Sequence, residues 1–451
     1  MWYIAAARDG FSNPLQGGGL EARGFRFAYA ESTDGVDWIK PNLGLEDFRG
    51  NKNNNLLNMP DGFRGYHASV LHEPEDPDPS RRYKMMALLM ERRVYQWAGV
   101  PPPPANPQVF VPLYSADGLN WRIADELVTD DRTKFSPNHN LLAQVEGAGL
   151  YKWKGMYYLS GQSISRPTHL SAMAPYGRHV QIWRSADLLN WSETQTMGFA
   201  REGQFEKAAS GRLGQEVEQT HEGVSVWNRG NVLLGVTGFW HGSDDWTQVT
   251  HPLALLISND GLHFRDPQPE FEFAPVGEKG RDWDHSGLGQ GQAFENVGDH
   301  TYLWYGAPMD QGTGPRTGLP LGQEGGIGLL IFDRDRFGSV SPRDADKDGV
   351  LITTEIELRR DLKLAVNAEG IAPLSRLRVE LLGQYERPIP GYSGDDAATV
   401  TVSGLRVPVE WPSQSNIAAS LQAVQLRVLL EGEERNAIRL YALYLNPADE
   451  S

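Results

Sequence analysis

Phe110-Val-Pro-Leu-Tyr114 runs directly into Ser115-Ala-Asp117-Gly118-Leu-Asn-Trp121, which gives a β-rich run, a tight turn and then an aromatic ring. The same order recurs at Ser32/Asp34/Gly35/Trp38, Ser185/Asp187/Trp191 and Ser258/Asp260/Gly261/Phe264, after runs such as Phe27-Ala-Tyr-Ala-Glu31, Val180-Gln-Ile-Trp183 and Leu253-Ala-Leu-Leu-Ile257. The copies are 83, 70 and 73 residues apart, and a worn fifth, Asp333 to Phe337, falls where the next interval predicts. In each turn the aspartate can accept hydrogen bonds from backbone N–H groups, glycine tolerates positive φ, and the ring can pack between neighbouring sheets. Repeats of this kind specify a radial or stacked β architecture.

Reading backward from each turn gives one grammar: an inner strand, a short turn, a second strand rich in Tyr, Trp and Met, then the strand that enters the Asp-Gly turn. The second strands are Met1 to Ala5, Arg82 to Leu88, Met156 to Gly161, Val232 to Trp240 and Thr301 to Ala307. Five of them imply five blades. Inner strands begin near His67, Glu146, Glu222 and Gln290, and the first blade has none. Met1-Trp-Tyr-Ile-Ala5 already reads as the middle of a sheet, so the N-terminus reads as truncated, or another segment replaces the absent strand. After Phe337 six alternating segments lie between Leu351 and Leu445, and they read as a sandwich. The expected fold is all-β, a five-bladed β-propeller over 1–340 followed by a β-sandwich over 345–451.

Composition agrees with this class. The 451 residues include 49 Gly and 29 Pro beside 13 Trp, 16 Tyr and 16 Phe, a mixture suited to many tight turns and aromatic platforms. A formal charge of −16 argues against a nucleic-acid backbone or an anionic membrane as partner. There is no cysteine, hence no disulfide, thiol nucleophile or thiolate metal site. The chain contains neither an eighteen-residue apolar run nor a signal-peptide pattern, and localisation and oligomeric state stay open.

Inner strands of a propeller line its central channel, so residues at their starts converge on one mouth. Aligning inner strands on their closing turns superposes Glu146-Gly-Ala-Gly-Leu-Tyr-Lys-Trp-Lys-Gly155 on Glu222-Gly-Val-Ser-Val-Trp-Asn-Arg-Gly230, with His67 and Gln290 in the corresponding places of other blades. Paired carboxylates can serve as proton donor and base or nucleophile around a glycosidic bond; alternatively they cap backbone groups at the channel rim. Glu216, Glu218, Gln219, Thr220, His221 and Glu222 form the densest polar cluster. Regular alternation puts Glu218, Thr220 and Glu222 on one face and His221 on the other. Trp240-His241-Gly242 and Asp282-Trp283-Asp284-His285-Ser286 offer a ring for stacking and polar groups for hydroxyls, or are simply rim loops.

Asp344, Asp346, Asp348 and Glu355 satisfy the acidic positions of a twelve-residue calcium loop, although the flanks read as strands and not helices. The expectation is that no cofactor is required and that this loop holds either a structural calcium or only solvated acids.

The Ser-x-Asp-Gly-x-x-Trp turns, the run Lys40-Pro-Asn-Leu-Gly-Leu45 and the segment Glu218-Gln-Thr-His-Glu-Gly223 resemble those of five-bladed β-propeller glycosidases such as β-fructosidases, arabinanases and β-xylosidases, above all bacterial glycosyl hydrolases. Phe332-Asp-Arg-Asp-Arg-Phe337 is similar to the propeller-to-sandwich junction of that group. The resemblance implies a glycoside hydrolase acting on a carbohydrate with three acids at inner-strand starts. Glu146 and Glu222 match the second and third acids, and the first, carried by the absent inner strand, has no counterpart. The β-fructosidase Trp-Met-Asn-Asp-Pro sequence is missing, and Arg265-Asp266-Pro267 follows an outer turn instead of occupying the family's place. The expected roles are Glu222 as proton donor and Glu146 as base, nucleophile or stabiliser, with His67, Glu218, His221, Trp240, His241, Asp284, His285 and Gln290 binding the sugar. A carbohydrate-binding propeller without catalysis is the alternative.

Overall fold

The structure is a computed structural model, and it describes residues 1–5, 26–60, 67–89, 109–127, 141–142, 146–162, 179–193, 195–201, 218–241, 250–269, 271–278, 281–285, 287–307 and 326–449. It is all-β: helix among the described residues is confined to three-residue 3₁₀ turns. No helix among them is long and apolar enough to cross a membrane. The chain forms two compact units, one of Met1–Phe294 with Leu303–Leu330, the other of Glu295–Tyr302 with Ile331–Ser451.

Among the described residues sixteen strands precede the change of grammar: β1 (Trp2–Ala5), β2 (Arg26–Tyr29), β3 (Ala68–His72), β4 (Tyr83–Leu89), β5 (Val109–Ser115), β6 (Arg122–Ile123), β7 (Glu146–Trp153), β8 (Met156–Gln162), β9 (Val180–Ser185), β10 (Thr196–Phe199), β11 (Glu218–Asn228), β12 (Leu233–His241), β13 (Leu253–Ser258), β14 (Gly289–Val297), β15 (His300–Ala307) and β16 (Gly326–Asp333). They make five sheets in chain order: β1-β2, β3-β4-β5-β6, β7-β8-β9-β10, β11-β12-β13 and β14-β15-β16. The expected second strands are β1, β4, β8, β12 and β15, each within a residue or two of its sequence bounds. Among the described residues no strand pairs with the open edge of β1, the place held by β3, β7, β11 and β14 elsewhere.

The Asp-Gly turns form as their chemistry requires. Asp34 Oδ1 accepts from Val36 N at 2.8 Å and Asp37 N at 2.9 Å, Gly35 N donates to Ser32 Oγ at 2.8 Å, and Trp38 Nε1 donates to Gly35 O at 3.0 Å. The same bonds recur around Asp117 and Asp187, where Leu188 takes the glycine's place at φ 68°. Burial raises the Asp117 carboxyl, but the Asn120, Leu119 and Ser115 donors outweigh it and bring the pKa down to about 2. Aromatic side chains also tie sheets together through these turns. Trp2 Nε1 donates to Gly118 O at 2.7 Å, Tyr151 OH to Gly261 O at 2.7 Å, and Trp304 Nε1 to Gly35 O at 2.9 Å. The last tie joins the β14-β15-β16 sheet to the β1-β2 sheet, and Trp38 meets Trp304 edge-on at 5.9 Å.

One buried ionic cluster links the second and third sheets. Lys84, 4% exposed, reaches Asp76 Oδ2 at 2.5 Å and Glu73 Oε2 at 2.9 Å, while Glu73 also accepts from Lys152 at 2.5 Å and Tyr157 OH at 2.7 Å. Burial alone would raise the Glu73 carboxyl; the bonds from Lys152, Lys84 and Tyr157 more than offset it, and the pKa lies below its ordinary value. A carboxyl depressed on folding stabilises above its unfolded pKa and loses that contribution as pH falls through the folded value. Glu73→Gln is therefore expected to cost about 1–3 kcal/mol at pH 7, with the gap from wild type closing below about pH 4. Urea titrations of both proteins between pH 7 and 3 measure it, and a gap that does not change with pH would contradict it.

In the second unit β17 (Gly349–Ile352), β18 (Ile356–Glu357), β19 (Leu362–Glu369), β20 (Ser375–Leu382), β21 (Ala398–Val400), β22 (Gly404–Val409), β23 (Ala423–Gly432) and β24 (Arg439–Pro447) form two sheets. One is ordered β17-β23-β20-β21, with β18 also on β23; the other is β22-β19-β24. Leu377, Val379 and Leu381 of the first share a buried cluster with Leu364, Val366 and Leu440 of the second. The opposite face of β20 and β23 carries charges that pair across strands: Glu431 takes Arg376 at 3.1 Å and Arg378 at 3.0 Å, and Glu380 takes Arg427.

Candidate active site

Four inner strands converge within the first unit, and the side chains that join them are small or amide-bearing. Ser69 Oγ of β3 donates to Ala148 O of β7 at 3.2 Å, and Ser160 Oγ of β8 bonds both Val224 O and, at 3.2 Å, Val224 N of β11. The Gln292 amide of β14 bonds Leu150 of β7 through both its N–H, at 2.9 Å, and its carbonyl. Gly149 is required here, because a Cβ would stand 2.2 Å from Val224 O.

Glu146 opens β7 opposite Gln162, with one bulged residue between Gly147 and Gly149. In the next sheet His221 pairs with Gly238 and Ser225 with Val236, so three residues, Glu222 to Val224, face Thr237 alone. This larger bulge ends regular alternation, and Glu222 takes φ 66°. Counted from the repeat serines, which face Tyr157 and Leu233, His221 opposite Gly238 matches Glu146 opposite Gln162, while Glu222 lies one residue farther along its strand. The two acids nevertheless share one end of adjacent sheets. Gln162, 1% exposed, accepts from the Glu222 backbone N–H at 2.8 Å.

Gln290 Nε2 donates to His221 O and Gly223 O, both at 2.9 Å, so both its N–H bonds go to the main chain, and its Oε1 is buried. Thr237 Oγ1 adds a second donor to Gly223 O at 2.6 Å. Gly223, at φ 123°, must be glycine, since a Cβ would stand 2.9 Å from Gly161 Cα.

His221 and Trp240 come together, and His251 completes the group. The His221 and His251 rings stack at 4.5 Å and 8°, and Trp240 lies 5.5 Å from His221 and 5.8 Å from His251. His251 is 6% exposed, and Gly287 packs against its imidazole. Asp284 Oδ2 accepts from Tyr305 OH at 2.7 Å, and Trp283 stacks on Tyr305 at 6.2 Å. Burial, then the Asp284 carboxylate, push the Tyr305 hydroxyl well above its usual pKa, so it stays a donor. His285 is buried, with Nδ1 3.1 Å from Asp282 O, and His241 Nε2 lies 3.8 Å from Glu272 Oε1. His67 precedes β3, and its carbonyl accepts from Leu88 N at 2.9 Å. Glu216 and the side chains of Glu146 and Glu218 lie outside the described residues.

The acidic loop of the second unit is built differently from a calcium cage. Asp344 pairs with Lys347 at 2.8 Å and Asp348 with Arg435 at 2.8 Å, and no three acids or histidines gather to hold a metal among the described residues. Two of the four carboxylates of this loop are thus turned to the chain's own cations.

Gln162, His251 and Tyr305 were not singled out in the sequence. Gln162 ends a second strand and His251-Pro252 precede a third, so repeat position alone marks them.

No family model matches the sequence, and no curated protein matches it either. Solved glycoside hydrolases are similar in structure. A mutant of the Bombyx mori GH32 β-fructofuranosidase BmSUC1, in complex with sucrose, is 11% identical over 98% of this chain and 87% of that chain, with a TM-score of 0.41. A GH130-family structure, reported with glycoside hydrolases that target β-1,2 mannosidic linkages in Candida mannan, is 15% identical over 74% and 84%, with a TM-score of 0.38. A glycosyl hydrolase from Bacteroides ovatus is 14% identical over 74% and 82%, with a TM-score of 0.37. These are hydrolases of the class that the sequence resemblance names, and no residue role is carried over from them.

Proposed function

We propose that the first unit is a five-bladed β-propeller, that the second is a β-sandwich, and that the chain hydrolyses an O-glycosidic bond of a carbohydrate at the channel mouth. Glu222 is the proton donor and Glu146 the base, nucleophile or stabilising carboxylate. His67, Glu218, His221, Trp240, His241, Asp284, His285 and Gln290 position the sugar. The observation that carries this reading is Gln162, which is the cross-strand partner of Glu146 and also bonds the backbone of Glu222, and so supports a common mouth for the two acids. The blade reading draws support from the Trp304 to Gly35 bond, and the sandwich reading from the shared apolar cluster.

A second reading, carbohydrate binding without hydrolysis, is favoured by the bond that Asp284 Oδ2 accepts from Tyr305, with no third acid assigned beside the pair among the described residues. Screening aryl furanosides and pyranosides separates the two. Release of the aryl alcohol supports hydrolysis. Saturable binding of the same compounds without release supports the second reading, and neither response overturns both.

A further inference from the structure

We propose that Gln162 and Gln290 are positioning residues that hold Glu222 in its left-handed conformation and so aim its carboxylate, an inference that rests on the reading of Glu222 as proton donor.

A residue with a Cβ avoids φ 66°, and such a conformation persists where its surroundings over-determine it. The peptide between His221 and Glu222 is gripped at both ends: its carbonyl accepts from Gln290, and its N–H donates to Gln162. The next carbonyl but one, at Gly223, accepts from Gln290 and Thr237. Gln162 belongs to β8 in the preceding sheet and Gln290 to β14 in the following one, so each neighbour of β11 contributes one amide. The two amides are used in opposite senses. An N–H needs the oxygen of Gln162, and a pair of carbonyls needs the nitrogen of Gln290, which fixes both orientations. Glycine or asparagine takes a left-handed position at least cost, although Lys154 and Leu188 also hold one in ordinary turns. What sets Glu222 apart is that amides from two neighbouring sheets hold its peptide, while glycine stands at the following place.

The test combines melting with turnover in the full chain. Glu222→Gly relieves the strain and is expected to raise Tm by about 2 °C. Once Gln290→Met has removed both donors at similar volume, the loop relaxes, and adding Glu222→Gly is expected to bring no gain. On the aryl glycoside that wild type cleaves, Gln290→Met and Gln162→Met are each expected to lower kcat about 10- to 100-fold with KM within about threefold. Gln290→Asn, which keeps the amide on a shorter arm, is expected to recover part of kcat; it also serves if Gln290→Met does not fold. Additive melting shifts together with an unchanged kcat overturn the proposal. Coupled melting with full activity in Glu222→Gln removes the donor assignment, and with it the aiming role, while the backbone hold stands.

Discussion

Exchanging Glu222 for glutamine is expected to lower kcat by roughly 10²- to 10⁴-fold, the contribution of a positioned general acid. KM should change little, because the amide keeps the shape and most hydrogen bonds of the carboxyl while losing its transferable proton. Stability should stay near wild type, since the backbone at φ 66° and its bonds to Gln162 and Gln290 are unaltered. Aryl glycosides with good leaving groups need little protonation and should lose less than poor ones. Equal losses across leaving groups would point to Glu222 serving another step, and no loss would remove it from the reaction.

Gly149→Ala is expected to destabilise the first unit by about 3 kcal/mol or more, or to prevent folding. Its new Cβ would stand 2.2 Å from Val224 O and 3.1 Å from Ser160 Oγ, so the obstacle is main chain and cannot swing aside. Relief requires β7 and β11 to part, which breaks the Ser160 bonds to Val224 and spreads the two acids. Gly155→Ala is the control: at φ 83° with nothing within 4 Å of its Cβ, it carries only the left-handed penalty of about 1–2 kcal/mol. Urea titration of both variants decides the matter. If they fall equally, the close approach of the inner strands is not what demands glycine at 149.

The strand triads could be read from sequence because each ends in a turn whose chemistry is local. Ser115, Asp117, Gly118 and Trp121 bond among themselves within seven residues, so the pattern survives whatever the rest of the sheet does. The mouth was harder. Aligning Glu146 on Glu222 from the closing turns assumed strands of equal count, and the extra bulge residue in β11 shifts that count. The Gln162 and Gln290 bonds span 60 and 67–69 residues, and an amide aimed at a distant backbone leaves no local mark. In the acidic loop the pattern of carboxylates was legible. Its answer, Arg435 on Asp348, comes from far along the chain.

The indole of Trp304 reaches a carbonyl 269 residues earlier. A growing polypeptide emerging from the ribosome can assemble the middle sheets as they appear, but this bond must wait for the last of them, which makes it a slow, non-local event. Trp38 and Trp304, which meet edge-on, come together only at that step.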